Sequence, residues 1–311
     1  MARILITGGA GFIGSHVAEA FLAAGHDIAV VDNLITGRRE NLPPGARFFH
    51  ADITDPAALD AAFADAKPGI VVHLAAQTSV RRSTQDPAHD LRVNVLGTLL
   101  LLERAARAGA AQFIFSSTGG ALYGDGASLP TPEGASCRPA SPYGVSKLAA
   151  EEYLGWAQRT YGMSCCALRY ANVYGPRQDP NGEAGVIAIF AGRMLAGESP
   201  VINGDGLQTR DYVFVKDVVA ATVAAAEHRL AGAYNVGSGI ETDVTVLYDR
   251  IAALTGFHGE RRHGPALAGE QRRSCLDAAR LREAAGWLPH HDLDSGLAHT
   301  VAWFAGRGGG R

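Results

Sequence analysis

The sequence predicts an α/β protein: a doubly wound parallel sheet with a smaller α/β lobe interleaved with it. Three observations lead there. Up to about residue 170, short apolar runs such as residues 4–6, 28–31 and 113–115 alternate with longer stretches of helical apolar spacing, the pattern of repeated βαβ units in a sheet covered on both faces. The first unit places Gly8, Gly11 and Gly14 at its strand-to-helix turn. Beyond residue 170 the pattern is patchier, with Gly/Pro-rich connections at residues 175–185 and 204–206 and helical spacing at 244–254 and 276–285. The expected division gives residues 1–170 and 211–240 to the large lobe and 171–210 and 241–305 to the small one. Residues 306–311 are expected to form a disordered tail, because a glycine run cannot offset its ordering entropy.

At 311 residues the chain exceeds the usual single-core size. Hydrophobic residues make up 47% and charged residues 19%, and the net charge of −3 carries no polyelectrolyte signature, so nucleic acid is not an expected partner. Met1 leads straight into a strand-like run and no apolar run reaches membrane-spanning length, so a cytoplasmic protein without a membrane partner is expected. Cys137, Cys165, Cys166 and Cys275 show no metal-ligand spacing. Reduced thiols and no metal site are expected.

In the first βαβ unit, ARILITGGAGFIGSHVAEAFLAAGHDIAVVD, Gly8 allows a tight turn and Gly11 lets a pyrophosphate approach the backbone. Gly14 lets the helix pack close to the strand, with phosphates at its positive N-terminus. Asp32 ends the second strand, placed to accept hydrogen bonds from an adenosine ribose diol. A carboxylate there repels a 2′-phosphate, so NAD is favoured over NADP, although Arg38 and Arg39 nearby leave NADP open.

In SPYGVSKLAAEEYL, Ser141 suits an N-cap and Pro142 the first helical position, which puts Tyr143 and Lys147 on one helix face, four residues apart. The chain holds only three lysines, Lys67, Lys147 and Lys216. A phenol titrates near pH 10 (about 10). A neighbouring ammonium and a positive nicotinamide ring both favour its phenolate, which makes Tyr143 a candidate base. The third member is a hydroxyl at the carboxyl end of the strand FIFSST, where α/β sheets bind ligands. Thr118 is the first choice and Ser117 the second, while Ser116 is expected to turn away from the reaction.

The G-x-x-G-x-x-G spacing together with Tyr143/Lys147 resembles the extended short-chain dehydrogenase/reductase family, over nearly the whole chain. DNLITGRRENL, ADITD, HLAAQTSVRRS, NVLGT, FSSTGG and LRYANVYGPRQ match as well. The resemblance implies a Rossmann-type lobe holding NAD. Its implied contacts are Gly8, Gly11, Phe12, Ile13, Gly14, Asp32 and Asn33, with Asp52 and Ile53 flanking the adenine. Leu74, Ala75, Ala76 and Gln77 would line the cleft, Asn94 would be a structural polar residue near it, and Ser116, Tyr143, Lys147 and Tyr170 would complete the set. The family also implies a homodimer, through helices at residues 91–108 and 143–161.

Relatives that eliminate water or decarboxylate carry an acid just after the catalytic hydroxyl. Here Gly119 and Gly120 follow Thr118, and glycine cannot move a proton. FSSTGGALYG, RYANVYGPRQDPNGEAG and GDGLQTRDYVFVKDVV are most similar to the family's nucleotide-sugar 4-epimerases. That implies a UDP-hexose, UDP-glucose or UDP-galactose, oxidised at carbon 4 with Tyr143 as base and Thr118 on the oxygen, turned as a ketone and reduced from its other face. Ser117, Thr118, Asn172, Gly185 and Val186 would contact the substrate, and Arg210 would pair with its diphosphate. Where the family has a second clamping arginine, two residues before Gly269 and Glu270, this chain has Leu267, so Arg272 or Arg273 is the substitute, or Arg210 acts alone. Ser274 is small where bulk limits the sugar substituent, which keeps N-acetylated sugars open. UDP-glucuronate is the alternative substrate, with Arg193 or Arg177 on its carboxylate. A non-catalytic dinucleotide sensor on the same fold is the other class of function, disfavoured because tyrosine, lysine and hydroxyl are all kept.

Overall fold

The computed structural model describes residues 1–180, 185–266 and 271–308. β1 (Arg3–Thr7) leads through the glycine turn into α1 (Phe12–Ala23) and β2 (Asp27–Asp32). After β3 (Arg47–His50), Asp55 accepts from the amides of Ala57 and Ala58 and Pro56 takes the first position of α2 (Pro56–Ala66), which returns the chain to β4 (Ile70–His73). Two short helices, α3 (Val80–Gln85) and α4 (Pro87–Leu91), run through one π-helical turn, Arg92–Leu96, into α5 (Gly97–Arg107). β5 (Gln112–Thr118) is followed by the single-turn α6 (Gly119–Leu122), the long α7 (Pro142–Tyr161) and β6 (Ser164–Tyr170).

The chain then leaves the sheet for β7 (Asn172–Tyr174), α8 (Val186–Leu195), β8 (Val201–Asn203) and β9 (Thr209–Phe214). It returns with α9 (Val215–Glu227) and β10 (Gly232–Val236). It leaves again through β11 (Glu241–Asp243), α10 (Val244–Thr255), β12 (Arg262–Gly264), α11 (Ala279–Ala285) and α12 (Leu293–Gly308).

Seven parallel strands form the central sheet in the order β10-β6-β5-β4-β1-β2-β3. This is the doubly wound Rossmann-type arrangement, with the order reversing at β1 and β4. One face is sealed by Ile4, Ile6, Phe21, Val218 and Trp287, the other by Leu5, Leu59, Leu101, Phe113 and Leu154. Adjacent Cys165 and Cys166 point to opposite faces, all four cysteines are free thiols, and burial pushes the thiols of Cys165 and Cys166 up to about 12. A three-stranded sheet, β11-β9-β7, and a two-stranded one, β12-β8, belong to a third cluster around Phe190, Tyr212, Phe214, Leu247 and Leu297.

The boundary expected between residues 210 and 211 falls inside β9. Tyr212 and Phe214 of that strand fill the small cluster, while Val213 faces the large one, so the chain rejoins the central sheet only with α9 and β10. At the C-terminus, α12 continues through Gly308 into the expected tail, and residues 309–311 lie outside the described residues. Among the described residues no helix is long and apolar enough to cross a membrane.

Candidate active site

The glycine turn is shaped by close approach. Gly8 has φ +72°, and a Cβ on it would stand 2.6 Å from the Ala75 nitrogen at the end of β4. A Cβ on Gly14 would meet the Gly8 oxygen at 2.1 Å. Gly11 is the N-cap of α1 and no side chain caps that end, so the first amides of a twelve-residue helix face the cleft between β1 and β4. Next to it, the Asp32 carboxylate is fixed by the amides of Ala10 (3.0 Å) and Leu34 (2.8 Å). Asn33 donates to Asp52 at 2.7 Å. Burial raises the Asp52 carboxyl, but hydrogen bonds from Thr54 and Asn33 outweigh it and hold the group below its ordinary range. Arg38 pairs with Glu40, and Arg39 lies over the Phe48 ring, so both arginines left open for a 2′-phosphate have other partners. These residues fit a dinucleotide with a free ribose diol: an uncapped helix end beside glycines, then an oriented carboxylate.

The wall of the cleft is tied together under the cofactor position. Thr98 donates to the Asn94 carbonyl at 2.6 Å, so its hydroxyl accepts from Nε2–H of His73 (3.0 Å), and Nδ1 of His73 accepts from Thr7 (2.7 Å). Thr7 in turn accepts from the Ala75 amide. Burial, with the Lys147 charge second, holds His73 down at about 3, so it stays neutral and its tautomer follows from this chain of donors. Asn94 exchanges hydrogen bonds with the backbone of Gln77 at 2.9 Å each way, from within the π-helical turn. Leu74, Ala75, Ala76 and Gln77 are half-buried along this wall, and Ile53 is buried beneath Gly97.

Ser141 caps α7 through the Gly144 amide, and Pro142 takes its first position, as the sequence predicts. Lys147 is 3% exposed. Its Nζ donates to the Ser116 carbonyl at 2.8 Å and stands 4.6 Å from the Phe115 ring centroid and 5.9 Å from that of Tyr143. Burial lowers the ammonium to about 8, against the raising influence of Asp90 and Glu151. Tyr143 is half-buried, its amide held by Ser83. Burial, then the charge of Asp90, push its phenol above the ordinary value. The sequence-based expectation that Lys147 lowers this phenol is thus not met by the protein alone, because desolvation dominates.

On β5 the three hydroxyls separate by the two-residue period of a strand. Ser117, expected at the substrate, donates to Glu151 of α7 at 2.5 Å; Ser116, expected to turn away, shares a hydrogen bond with the Tyr170 hydroxyl. Thr118 ends the strand. A Cβ on Gly120 would lie 4.0 Å from its Oγ1 and 3.6 Å from Oδ1 of Asn172, so threonine and asparagine border one open space. A Cβ on Gly119 would strike Leu276 at 2.4 Å, which leaves no room there for an acid. Tyr170, expected at the cofactor, is instead buried in the core under the sheet, within reach of Thr222 (3.3 Å).

Beyond Thr118, a cavity of about 310 Å³ opens between Gly119, Gly124 and the segment Gln271, Arg272, Ser274 and Leu276. Ser274 is buried on its wall, and Gly185 forms the uncapped N-terminus of the ten-residue α8, followed by half-buried Val186. The arginines are differently placed. Arg210 donates to the Thr209 carbonyl (2.8 Å), Arg272 makes a forked pair with Asp205 (2.8 and 2.7 Å), and Arg273 binds Glu241. Arg177 is spent on Ser15 and Glu19 of α1. Arg193 is exposed in the last turn of α8, roughly 12 Å along the helix from Gly185. Leu267, Gly269 and Glu270 lie outside the described residues.

Two groups that sequence reading missed complete the site. Arg169 of β6 is 7% exposed and forks onto Glu151, one turn after Lys147, at 2.6–3.1 Å; it also donates to Tyr123, which donates to Asn235. This buried pair and Ser117 join β5, β6 and α7, the elements that carry Thr118, Tyr170 and the Tyr143/Lys147 pair. The second is Asp90, beside Gln77 and Asn94. Glu151 sits four residues after Lys147 in sequence, a helical-face signal; Asp90 offers none.

Comparison with known proteins agrees with this geometry. A family model described as the NAD dependent epimerase/dehydratase family matches residues 4–237. Over 308 residues the chain is 46% identical to a UDP-glucose 4-epimerase of Mycolicibacterium smegmatis, covering 97% of this chain and 98% of that protein. A crystal structure of UDP-glucose 4-epimerase from Thermotoga maritima, with UDP-glucose, is similar with a TM-score of 0.95 at 46% identity over 98% of this chain and 99% of the other. The Thermus thermophilus UDP-glucose 4-epimerase, in complex with NAD, gives 0.92 at 44% identity with the same coverage.

Proposed function

The chain belongs to the NAD dependent epimerase/dehydratase family, and we propose that within it the protein interconverts UDP-glucose and UDP-galactose by inversion at carbon 4. The observation that carries this reading is the end of β5: Thr118 and Asn172 border one open space, and Gly119 and Gly120, which can move no proton, follow Thr118 where elimination would need a second acid. A base such as Tyr143 can take the proton of the sugar hydroxyl and return it, which inversion requires and elimination does not.

Bound at the glycine turn, NAD would supply a reversible hydride acceptor for carbon 4. The chain does the rest. Thr118 holds the sugar oxygen by a hydrogen bond while Tyr143 removes its proton, and Lys147 holds the cofactor ribose and favours the phenolate by its charge. After the ketone has turned, Tyr143 returns the proton to the oxygen on the opposite face. Atoms and electrons balance with no net redox change. Asp32, Asn33 and Asp52 would hold the adenosine end, and Asn172, the α8 N-terminus and Arg210 the UDP-sugar in the small lobe.

N-acetylated UDP-hexoses are a second substrate class, favoured by small Ser274 and the cavity beside it. UDP-glucuronate is disfavoured, because Arg177 is bound to α1 and Arg193 points to solvent at the far end of its helix. A cytoplasmic homodimer fits the exposed apolar Leu91, Leu96, Val145 and Tyr153 on the helices flanking Tyr143. The test incubates purified protein with UDP-galactose, UDP-N-acetylgalactosamine and UDP-galacturonate separately, without added NAD, and follows anomeric protons by NMR. Conversion of UDP-galactose to UDP-glucose is expected; no inversion of any of the three, even with NAD added, contradicts the reading.

A further inference from the structure

Asp90 has no part in the chemistry described so far, yet its carboxylate is completely buried in α4. Oδ1 accepts from Nε2 of Gln77 at 2.8 Å and from Nδ2 of Asn94 at 3.1 Å. Oδ2, equally buried, accepts no hydrogen bond from any described residue. A carboxylate oxygen removed from water without a donor is costly. Retaining it calls for a compensating use, and its surroundings supply one. The helix holding Asp90 runs directly into the π-helical turn with Asn94, a local irregularity that is frequent at functional sites, and α7 lies against the same helix. The charge of Asp90 acts on both Tyr143 and Lys147.

We propose that Asp90 is a positioning residue of the reacting centre: Oδ1 fixes the Gln77–Asn94 corner of the cleft, and Oδ2 keeps a negative charge beside Tyr143 and Lys147 that maintains the lysine as an ammonium. This rests on the reading of Tyr143 and Lys147 as the reacting pair. Four titratable groups surround Lys147: Asp90 from α4 and Glu151 from α7 itself raise it, while His73 from β4 and the Tyr143 phenol, one turn before it, are neutral at neutral pH. Glu151 is already committed to Arg169 and Ser117. Asp90, with one oxygen unpartnered, is the acid left to balance burial, which has brought Lys147 down to about 8. Without it the amine would be largely neutral near physiological pH and would lose its pull on the phenolate.

The test uses the chain's three lysines. With side-chain ¹⁵N labelling, Lys147 is assigned by Lys67→Arg and Lys216→Arg and titrated between about pH 6 and pH 10, a range that brackets its lowered value. Asp90→Asn keeps the oxygen facing Gln77 and removes the charge; it is expected to lower the Lys147 midpoint by about one pH unit and to move the alkaline limb of kcat/KM down with it. Asp90→Glu, which keeps the charge, is expected to restore both toward wild type. An unchanged Lys147 midpoint in Asp90→Asn overturns the proposal; should that variant fail to fold, Asp90→Ser, still an acceptor and uncharged, gives the same two outcomes. A wild-type protein that inverts no UDP-sugar would contradict the functional reading instead, and the lysine titration would still decide the role of Asp90.

Discussion

Tyr143 and Lys147 of α7 and Arg210, Arg272 and Arg273 of the small lobe differ in how they are held. The reacting edge is anchored from behind by buried polar groups: Arg169–Glu151 joins three elements, His73 and its two threonines join two strands to α5, and Asp90 fixes the turn carrying Asn94. Of the cations of the small lobe, Arg272 and Arg273 lie on the surface, where each pairs with an acid of the same lobe. Buried networks fix geometry, whereas exposed ion pairs are worth little and exchange partners readily. In the proposed reaction, therefore, the fold preorganises the reacting side chains, while Arg272 or Arg273 would have to leave an acid before gripping a diphosphate.

Substitutions on each side of this contrast should differ in size of effect. The largest effect is expected from Tyr143→Phe, which removes the phenol proposed as the base: kcat should fall by about a thousandfold or more, with an unchanged melting temperature, and near-normal turnover would refute the assignment. Glu151→Gln touches no reactant but leaves the Arg169 guanidinium buried and unpaired. It should cost about 3 kcal/mol of stability, read by denaturant unfolding, and lower kcat with little change in KM. Asp32→Ala should weaken NAD binding by about tenfold, the loss of a charge-assisted hydrogen-bond pair, measured by calorimetry on apoprotein; an unchanged dissociation constant would remove Asp32 from the site.

A smaller effect of opposite sign is expected at Lys147. Its pKa in the folded chain, about 8, lies below its ordinary value of 10.5. The unfolded chain therefore binds more protons between these values, and Lys147 costs stability below pH 8, a cost that fades as pH rises toward 10.5. Lys147→Met should accordingly abolish turnover yet raise the melting temperature at neutral pH by roughly 2–4 °C, and the gain should shrink as pH is raised. A variant less stable than wild type at pH 7 would contradict that sign. The smallest effect is expected at the exposed Arg193: Arg193→Ala should leave UDP-galactose turnover within about twofold, and a selective loss with UDP-galacturonate would restore the carboxylated-sugar reading.

The contrast also explains what could be read from sequence. Periodicity and the glycine spacing anticipate the first βαβ unit, and Ser141-Pro142 anticipates the start of α7, because these are local signals. That Tyr143 and Lys147 share one helix face follows from their four-residue spacing. The order of hydroxyls on β5 does not: a period of two separates Ser116 and Thr118 from Ser117, but which set meets the cleft depends on Glu151 and Arg169, which come from α7 and β6. Tyr170 ends a strand in the manner of Thr118, yet the packing of α9 over that face makes it core. Asp90 was invisible for a similar reason, since an aspartate after a proline reads as a helix-start residue, and only the fold brings it to Gln77, Asn94 and Tyr143. The boundary inside β9 reflects a strand whose alternate residues serve two cores.

The proposed reaction inverts carbon 4 with one phenol and a bound cofactor, without net redox change. Its most direct test incubates the protein with UDP-galactose deuterated at carbon 4, in ordinary water and without added NAD, and reads the product by NMR. UDP-glucose that keeps deuterium on carbon 4 is the predicted result. Washout of the label into solvent, a deoxy product, or no inversion would contradict it.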